Sequence, residues 1–322
     1  MDAEDLVALE RIAAPNPVRA QELGSTWMRH MRRGDFAAAW EVSDEVLRGR
    51  AGQACDHLPR HFQWVWDGEP LAGKRVLIRC YHGLGDTIQF IRYAPLMRES
   101  AARVSVWAQP ALLRLLRSVR GIDEIFPLHR GEPAIARDVD VEVMELPHVF
   151  RSTVQTLPAD VPYLRAPAAD RPRLDDGDLH VGIVWKCGDW APERSIPVEL
   201  LEPLTQISGV MLHVLQRGSG LDERPPGFGV VSGSDDILEA ARTIASLDLM
   251  ISIDSMPAHL AGALAVPTWT LLQAKADWRW MDERTDSPWY PTMRLFRQQQ
   301  EGDWRSVVAE AAAELRRMAG QP

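Results

Sequence analysis

Asp86 is the acidic residue whose sequence context best suits proton transfer. It ends the glycine turn Gly83-Leu-Gly-Asp86, which follows the apolar run 76–78 and precedes an amphipathic stretch through Leu96. This pattern predicts strand, turn and helix, and the glycines let the backbone approach a ligand closely. Open α/β sheets place their chemistry at the carboxyl ends of the strands. We therefore expect Asp86 there, as an N-cap or first-turn acid.

A second polar turn, Asp254-Ser255-Met-Pro257, lies between the apolar run 249–253 and a helix predicted over 258–264. Pro257 suits the first turn of a helix, where its missing N–H costs nothing. The free N–H groups around it would point at an anion, and a diphosphate would fit this helix end. An ordinary capped helix is the alternative interpretation.

Cations and polar donors follow two further strands of the second half of the chain. Lys186 and Arg194 come after the predicted strand 179–185, and either could neutralise charge on a departing phosphate. Gln216 and Arg217 follow the next strand and add donors at the same edge. Solvated surface groups are the alternative for isolated basic residues.

Two other features carry weaker signals. His259 falls one turn into the predicted helix and is either a catalyst or a partly buried, hydrogen-bonded histidine. Asp138-Val-Asp140 resembles a short acidic pair that holds a divalent metal in some sugar-transfer enzymes, but such pairs also arise by chance. We expect no metal site. The sequence contains no GxxxxGK[ST], HExxH or GxSxG motif, which disfavours P-loop, zinc-protease and serine-hydrolase chemistry.

Composition narrows the class of protein. The 322 residues carry a net charge of −9, and 46% of them are hydrophobic. An acidic chain without a dense basic run is a poor nucleic-acid binder. No apolar run reaches the roughly 18 residues of a membrane helix, and we see no secretory signal. Three cysteines without metal-type spacing indicate a reducing compartment. We expect a cytoplasmic protein with no integral membrane segment.

The chain divides into three predicted regions. Residues 1–70 form a helical appendage, a hairpin similar to one tetratricopeptide repeat that is broken at Gly34-Asp35 and could bind a protein partner. Residues 71–165 and 175–322 alternate strands and helices, which predicts two Rossmann-like doubly wound domains of the α/β class that meet at a cleft. A proline-rich linker is predicted over 158–178.

The predicted elements of these two domains are short. In the first domain they are strands 76–78, 103–108, 124–126 and 140–144 with helices 86–98 and 110–119. In the second they are strands 179–185, 210–215, 249–253 and 268–272 with helices 197–205, 237–245, 258–264 and 304–318.

Several ordered motifs resemble one enzyme family. They are Gly83-Leu-Gly-Asp-Thr-Ile-Gln-Phe-Ile-Arg-Tyr-Ala-Pro-Leu96, Arg194-Ser-Ile-Pro197, Asp254-Ser-Met-Pro-Ala-His-Leu-Ala-Gly-Ala-Leu264, Asp277-Trp-Arg-Trp280 and Ser287-Pro-Trp-Tyr-Pro291. From about residue 60 onward the chain is similar to GT-B glycosyltransferases of the ADP-heptose:lipopolysaccharide heptosyltransferase family. Its closer likeness is to the bacterial tetratricopeptide-associated branch.

The resemblance implies a role for each matched position. It makes Asp86 the candidate base and Gln89 an acceptor-binding residue. It makes Lys186 or Arg194 the partner of the leaving group. The donor would also contact the residues of both polar turns and of the adjoining loops, namely Gly83, Gly85, Ser195, Gln216, Arg217, Asp254, Ser255, Pro257, Ala258, His259 and Leu260.

Two loops depart from the family pattern. Relatives read Trp-Ala-Gly-Asn where this chain has Trp185-Lys-Cys-Gly188, and a Leu-Pro-containing loop where it has Leu272-Gln-Ala-Lys275. Both loops lie around the expected donor pocket. The identity of the donor is therefore the family property that carries over least to this chain.

The resulting expectation is an inverting glycosyltransferase that moves a sugar from a nucleotide-diphosphate donor to a glycan, lipid-linked or protein acceptor. A helix terminus with Lys and Arg can neutralise the leaving phosphate, so no metal or other cofactor is expected. A non-catalytic module that binds a nucleotide sugar or a protein, and a nucleotide-sugar epimerase, are the alternatives.

Overall fold

A computed structural model describes residues 17–55, 58–60, 63–128, 131–166, 177–188 and 191–321. The central part of the predicted linker, 167–176, lies outside these residues.

The described residues of the first half of the chain contain four strands. Its helices and strands are α1 (Pro17–Arg32), α2 (Phe36–Arg50), β1 (Arg75–Arg79), α3 (Leu84–Phe90), α4 (Ala94–Ser100), β2 (Arg103–Ala108), α5 (Leu113–Leu116), β3 (Glu124–Pro127), β4 (Val139–Glu142) and α6 (Leu146–Val149). Short 3₁₀ turns at Ile91–Tyr93, Pro110–Leu112 and Val143–Glu145 join several of them.

In the second half, the part that the structure describes contains six strands. Its elements are β5 (Leu179–Val184), α7 (Glu202–Thr205), β6 (Val210–Val214), α8 (Ser219–Asp222), β7 (Val230–Val231), α9 (Ile237–Ala245), β8 (Leu249–Ile253), α10 (Met256–Ala263), β9 (Thr268–Leu272), β10 (Met293–Arg297) and α11 (Trp304–Met318). Its 3₁₀ turns are Pro192–Arg194, Val198–Leu201 and Trp278–Trp280.

Each half builds a wholly parallel sheet. The first has the strand order β3-β2-β1-β4, and the second β10-β9-β8-β5-β6-β7. The central strands are near-continuous apolar runs with little exposed surface, which is typical of parallel strands buried on both faces. The predicted fold class, α/β with two Rossmann-like parallel sheets and helices on the N-terminal side, is confirmed.

The chain forms two compact units. The first comprises residues 1–158 together with 277–283, and the second comprises 159–276 and 284–322. The short segment 277–283 thus leaves the second unit after β9, packs within the first and returns before β10. The sequence pattern gave no indication of this return.

The N-terminal helices belong to the first unit. Gly34, at φ +74°, separates α1 from α2 at the predicted break, and the Asp35 side chain caps α2. Trp40 Nε1 donates to the Ser152 carbonyl at 2.6 Å, and Asp44 Oδ1 lies 2.9 Å from His148 Nε2. These contacts join the hairpin to α6 and to the turn that follows it.

Several predictions of secondary structure need correction. The helices predicted over 110–119 and 197–205 are each a 3₁₀ turn followed by a four-residue helix, α5 and α7. The helix predicted over 86–98 is α3, a 3₁₀ turn and α4 in succession, with Pro95 at the start of α4. The strand predicted over 140–144 is β4 (Val139–Glu142), because a capping box at Glu142 begins a 3₁₀ turn. Strands β7 and β10 were not predicted.

No helix among the described residues is both long enough and apolar enough to cross a bilayer.

Candidate functional site

The Asp86 carboxylate lies in the first turn of α3, just past the carboxyl end of β1. Its Oδ2 accepts a hydrogen bond from the Gly83 N–H at 2.9 Å, and its Oδ1 accepts one from Arg279 Nη2 at 2.5 Å. The side chain keeps 26% of its surface exposed. A carboxylate has about four lone-pair positions, so each oxygen can still accept another hydrogen bond.

Arg279 comes from the returning segment 277–283 and was not predicted as a site residue. Its Nε donates to Gln89 Oε1 at 2.7 Å and its Nη1 to Asp277 Oδ1 at 2.8 Å. The guanidinium also lies over the Trp278 and Phe90 rings, 4.7 and 5.4 Å from their centroids. The sequence signal was the motif Asp277-Trp-Arg-Trp280, to which no role had been given.

Gln89 has no exposed surface and its amide oxygen accepts from Arg279. A side chain without exposed surface cannot touch an acceptor in this conformation. In this conformation Gln89 supports Arg279, and its role in acceptor binding stays a prediction.

A pair of glutamates lies near Asp86. Glu142, at the end of β4, is 4% exposed; its Oε2 accepts from the Met144 N–H, and its Oε1 has no hydrogen-bond partner among the described residues. Burial, with Glu145 and Asp86 nearby, raises the pKa of Glu142 well above its usual range. Burial likewise raises the pKa of Glu145 to about 7.

His82 completes the group of titratable residues at this edge. Its Nε2 lies 3.9 Å from Glu142 Oε2, beyond hydrogen-bond distance, and its side chain is 35% exposed. Its backbone carbonyl accepts from Gln109 Nε2 at 2.7 Å, while Gln109 Oε1 accepts from the Thr87 hydroxyl at 3.0 Å. Gln109 thus holds the Gly83 turn to the start of α3.

In the second unit, two predicted donor-binding cations lie near the carboxyl ends of β5 and β6. Lys186 pairs with Glu223, and Arg217 Nη2 lies 2.5 Å from Asp235 Oδ2. The hydrogen-bonded pair raises the pKa of Arg217 and lowers that of Asp235. Both carboxylate partners are exposed, so an incoming anion can compete with them for the cations.

Gln216 orders the loop after β5. Its Oε1 accepts from the N–H groups of Trp185 and Lys186, at 3.0 and 2.9 Å. Its Nε2 donates to the carbonyls of Lys186 and Arg217, at 3.1 and 2.9 Å. These four bonds use both N–H groups and both principal acceptor positions of the amide, so Gln216 shapes the loop and has no donor group left for a ligand.

The turn at Asp254 is closely packed. The Asp254 carboxylate is 5% exposed, with its Oδ2 3.3 Å from Arg194 Nη1 and its Oδ1 4.0 Å from His259 Nε2. His259 Nδ1 lies 3.0 Å from the Tyr290 hydroxyl. His259 is therefore a buried, hydrogen-bonded histidine, and its predicted contact with the donor stays a prediction.

The other predicted donor residues of this turn differ in their access to a ligand. Pro257 stands in the first turn of α10, as predicted, whereas Ala258 and Leu260 have no exposed surface. Ser255 is partly exposed and its hydroxyl lies 3.3 Å from the Ile253 carbonyl oxygen. Ser195 Oγ accepts from the Cys187 N–H at 3.3 Å. Gly83 and Gly85, also predicted to contact the donor, lie in the other unit beside Asp86.

The acidic pair Asp138-Val-Asp140 is engaged by arginines of β1. Asp138 binds both the backbone N–H and the guanidinium of Arg75, and Asp140 pairs with Arg79. Among the described residues, no group of three His, Cys, Asp or Glu side chains is arranged to hold a metal ion.

Three solved structures with a similar fold are glycosyltransferases. The glycosyl transferase family 9 protein of Veillonella parvula aligns with 78% of this chain and 98% of its own, at a TM-score of 0.58 and 13% identity. The chain has the fold of glycosyltransferase family 9. The ADP-heptose lps heptosyltransferase II of Escherichia coli aligns at a TM-score of 0.53 and 13% identity. The alignment covers 76% of this chain and 99% of that protein's chain. The iron-containing dodecameric glycosyltransferase TibC of enterotoxigenic E. coli aligns at a TM-score of 0.53 and 15% identity. The alignment covers 74% of this chain and 67% of TibC.

Among curated proteins, this chain is similar to Protein FlbA of Caulobacter vibrioides, with 27% identity over 325 residues. The match covers 84% of this chain and 52% of FlbA, so the chain spans about half the length of that relative. No protein-family model matches the chain.

Proposed function

We propose that the protein is a glycosyltransferase that moves a sugar from a nucleotide-diphosphate donor to an acceptor hydroxyl. The observation that carries the proposal is a partly exposed carboxylate, Asp86, held at the carboxyl end of β1 in a fold shared with glycosyltransferase family 9. We further propose that the transferred sugar is a heptose. The acceptor is a glycan, a lipid-linked saccharide or a protein.

The proposed step is an inverting displacement with Asp86 as the base. The acceptor oxygen attacks the anomeric carbon while an Asp86 oxygen takes its proton, and the bond to the nucleoside diphosphate breaks on the opposite face. Asp86 suits this role because both of its oxygens are held in place and each retains a lone pair.

The leaving diphosphate needs charge stabilisation, which we assign to the second unit. Lys186 and Arg217 are the predicted cations whose carboxylate partners are exposed, and the amino end of α10 supplies a positive helix terminus. These groups support a reaction without a metal. Arg194 already pairs with the buried Asp254, so we place it in support of the turn rather than on the phosphate.

A non-catalytic nucleotide-sugar-binding protein is the second candidate. It is favoured by the engagement of Asp86 with Arg279, since the carboxylate already serves as the partner of an arginine. In that case Asp86 fastens the turn to the segment 277–283 and takes no proton.

Asp86→Asn distinguishes these two functions. We expect acceptor-dependent release of nucleoside diphosphate to fall about 10²-fold or more, because general-base catalysis contributes that much, while donor binding stays unchanged. The measurement combines product release from ADP-, GDP- and UDP-sugars, with glycan, lipid-linked and protein acceptors, and calorimetric titration of the same donors.

Asp138→Asn is the matched control, because Asp138 also binds one backbone N–H and one guanidinium. It should retain full turnover. Near-normal sugar transfer by Asp86→Asn would reject the role of Asp86 as the base. A wild-type protein that binds donor without consuming it would establish the binding function, and sugar conversion without acceptor would indicate an epimerase.

A further inference from the structure

Arg279 is bonded through three different nitrogen atoms to three different side chains. Its Nη2, Nε and Nη1 donate to Asp86, Gln89 and Asp277, at 2.5, 2.7 and 2.8 Å. Asp86 and Gln89 lie in α3, whereas Asp277 opens the 3₁₀ turn that carries Arg279 itself. The planar guanidinium can satisfy such a set of acceptors at once, which an ammonium group cannot reproduce.

Exposure separates the roles of the two partners in the ion pair. The Arg279 side chain is 9% exposed and is sandwiched against aromatic rings, whereas the Asp86 side chain is 26% exposed. A ligand can therefore reach the carboxylate more readily than the guanidinium.

The two hydrogen bonds on Asp86 fix the direction of its remaining lone pairs. Gly83 holds Oδ2 and Arg279 holds Oδ1, so the carboxylate cannot rotate without breaking one of them. Gln89 adds a second constraint, because it is buried and accepts from the same guanidinium. A base must lie within about 3 Å of the proton that it takes, so its orientation matters as much as its charge.

We propose that Arg279 is the positioning residue of Asp86, and that the segment 277–283 is thereby part of the site. Arg279 acts through the carboxylate and contacts no substrate. The inference rests on the proposed function and adds a residue to its site. Arg279 lies 193 positions from Asp86 in sequence but within the same unit.

A double-mutant cycle on turnover tests the proposal. Arg279→Gln should lower kcat by about 10²-fold, as expected for a misplaced reacting group, and should change the KM for donor by less than about threefold. In the Asp86→Asn background the same substitution should have little further effect, because Arg279 acts through Asp86. Arg279→Lys should recover part of the loss, since it keeps the charge but not the three-way bonding.

Arg75→Gln is the matched control, because it breaks another arginine–aspartate pair of the same unit. It should leave kcat unchanged. Retention of half or more of the wild-type kcat by Arg279→Gln would overturn the proposal. Losses that multiply in the double variant would do the same, since they indicate independent, merely structural effects.

A second measurement decides the proposal even if the wild-type protein transfers no sugar, an outcome that would reject the proposed function by itself. In a Cys187→Ser background, Asp86→Cys places a thiol beside the guanidinium; Cys55 and Cys80 are buried. A nearby guanidinium stabilises the thiolate, so adding Arg279→Gln should slow alkylation by iodoacetamide by about tenfold. Adding Arg75→Gln should not change it. Equal rates with and without Arg279 would overturn the assignment.

Discussion

The acidic residues of the first unit show how the environment assigns a role to one chemical group. Asp86 is partly exposed and its two oxygens accept hydrogen bonds from Gly83 and Arg279, so the carboxylate is both held in place and accessible. Burial raises the pKa of the nearby Glu142 and Glu145, which favours their neutral forms. Only the first environment suits a base, and the other two predict a dependence of stability on pH.

We expect the protein to lose stability as the pH rises from about 4.5 through 7, because Glu145 ionises in the unfolded chain before it does so in the fold. The shift of its pKa to about 7 corresponds to at most about 3 kcal/mol in the free energy of unfolding. Glu145→Gln should remove the part of this loss that Glu145 causes and leave the part caused by Glu142, whose pKa burial also raises. The variant keeps the hydrogen bond from the Glu142 N–H to its side-chain oxygen. Urea unfolding between pH 4.5 and 8 measures the difference.

Glu314→Gln provides the opposite case. Arg294 lowers the pKa of Glu314, so this pair stabilises the fold above the usual pKa of a glutamate and loses that effect as the pH falls. Glu314→Gln should therefore have a lower free energy of unfolding than the wild type at neutral pH, and the two should be equally stable at low pH. A Glu145→Gln curve parallel to that of the wild type would contradict the assignment of the alkaline loss to Glu145.

Single residues were predictable where the signal is local. The glycine turn, the first-turn position of Asp86 and the position of Pro257 all follow from neighbours within a few residues. The partners of Asp86 and His259 do not, because Arg279 and Tyr290 lie 193 and 31 positions away. A single sequence carries no measure of such long-range pairing, which is why the supporting residues of both sites were missed.

At the scale of elements, helix α10 depends on close packing against the segment before β10. A Cβ built on Gly262 would lie 2.4 Å from Cδ1 of Tyr290, a fully buried residue. Gly262→Ala should therefore destabilise the protein by about 1–3 kcal/mol through overpacking, despite the better helix propensity of alanine. Thermal unfolding followed by circular dichroism measures it.

Gly24→Ala is the matched control, since Gly24 also lies in a helix but has no atom within 4 Å of its built Cβ. That substitution should stabilise the protein by about 0.5–1 kcal/mol. If both variants behaved alike, backbone propensity rather than the contact with Tyr290 would govern Gly262.

The elements themselves were largely predictable from hydrophobic patterning. Strands β8 and β9 and helices α9 and α11 match their predicted bounds because each is a strongly patterned run between polar breaks. Strand β7 is two exposed valines at a sheet edge and has no apolar run to predict it. The bounds of the capped turn after β4 likewise depend on hydrogen bonds that patterning does not encode.

At the scale of the whole molecule, the course of the chain could not be predicted from local patterns. The order of strands and helices indicated two parallel sheets, but the return of 277–283 to the first unit depends on contacts far apart in sequence, such as Trp27 with Trp278. The attachment of the N-terminal hairpin also depends on contacts between residues far apart in sequence. It depends on Asp44, which pairs with His148 and Arg151 more than a hundred positions away.

Asp44→Ala should loosen the N-terminal hairpin and reduce the free energy of unfolding by about 1–3 kcal/mol at pH 7, because it leaves the buried His148 without its carboxylate partner. Hydrogen bonding to Arg151 lowers the pKa of Asp44, so its stabilising effect is present above the usual aspartate pKa of 3.8 and is lost as the pH falls through the lower folded value. The difference between variant and wild type should thus be large at pH 7 and shrink toward pH 3. Urea unfolding at both pH values, with hydrogen exchange of α1 and α2, measures it. Arg151→Gln, which removes the guanidinium but leaves the His148 contact, should cause a smaller loss, and equal losses in the two variants would show that the arginine alone holds the hairpin.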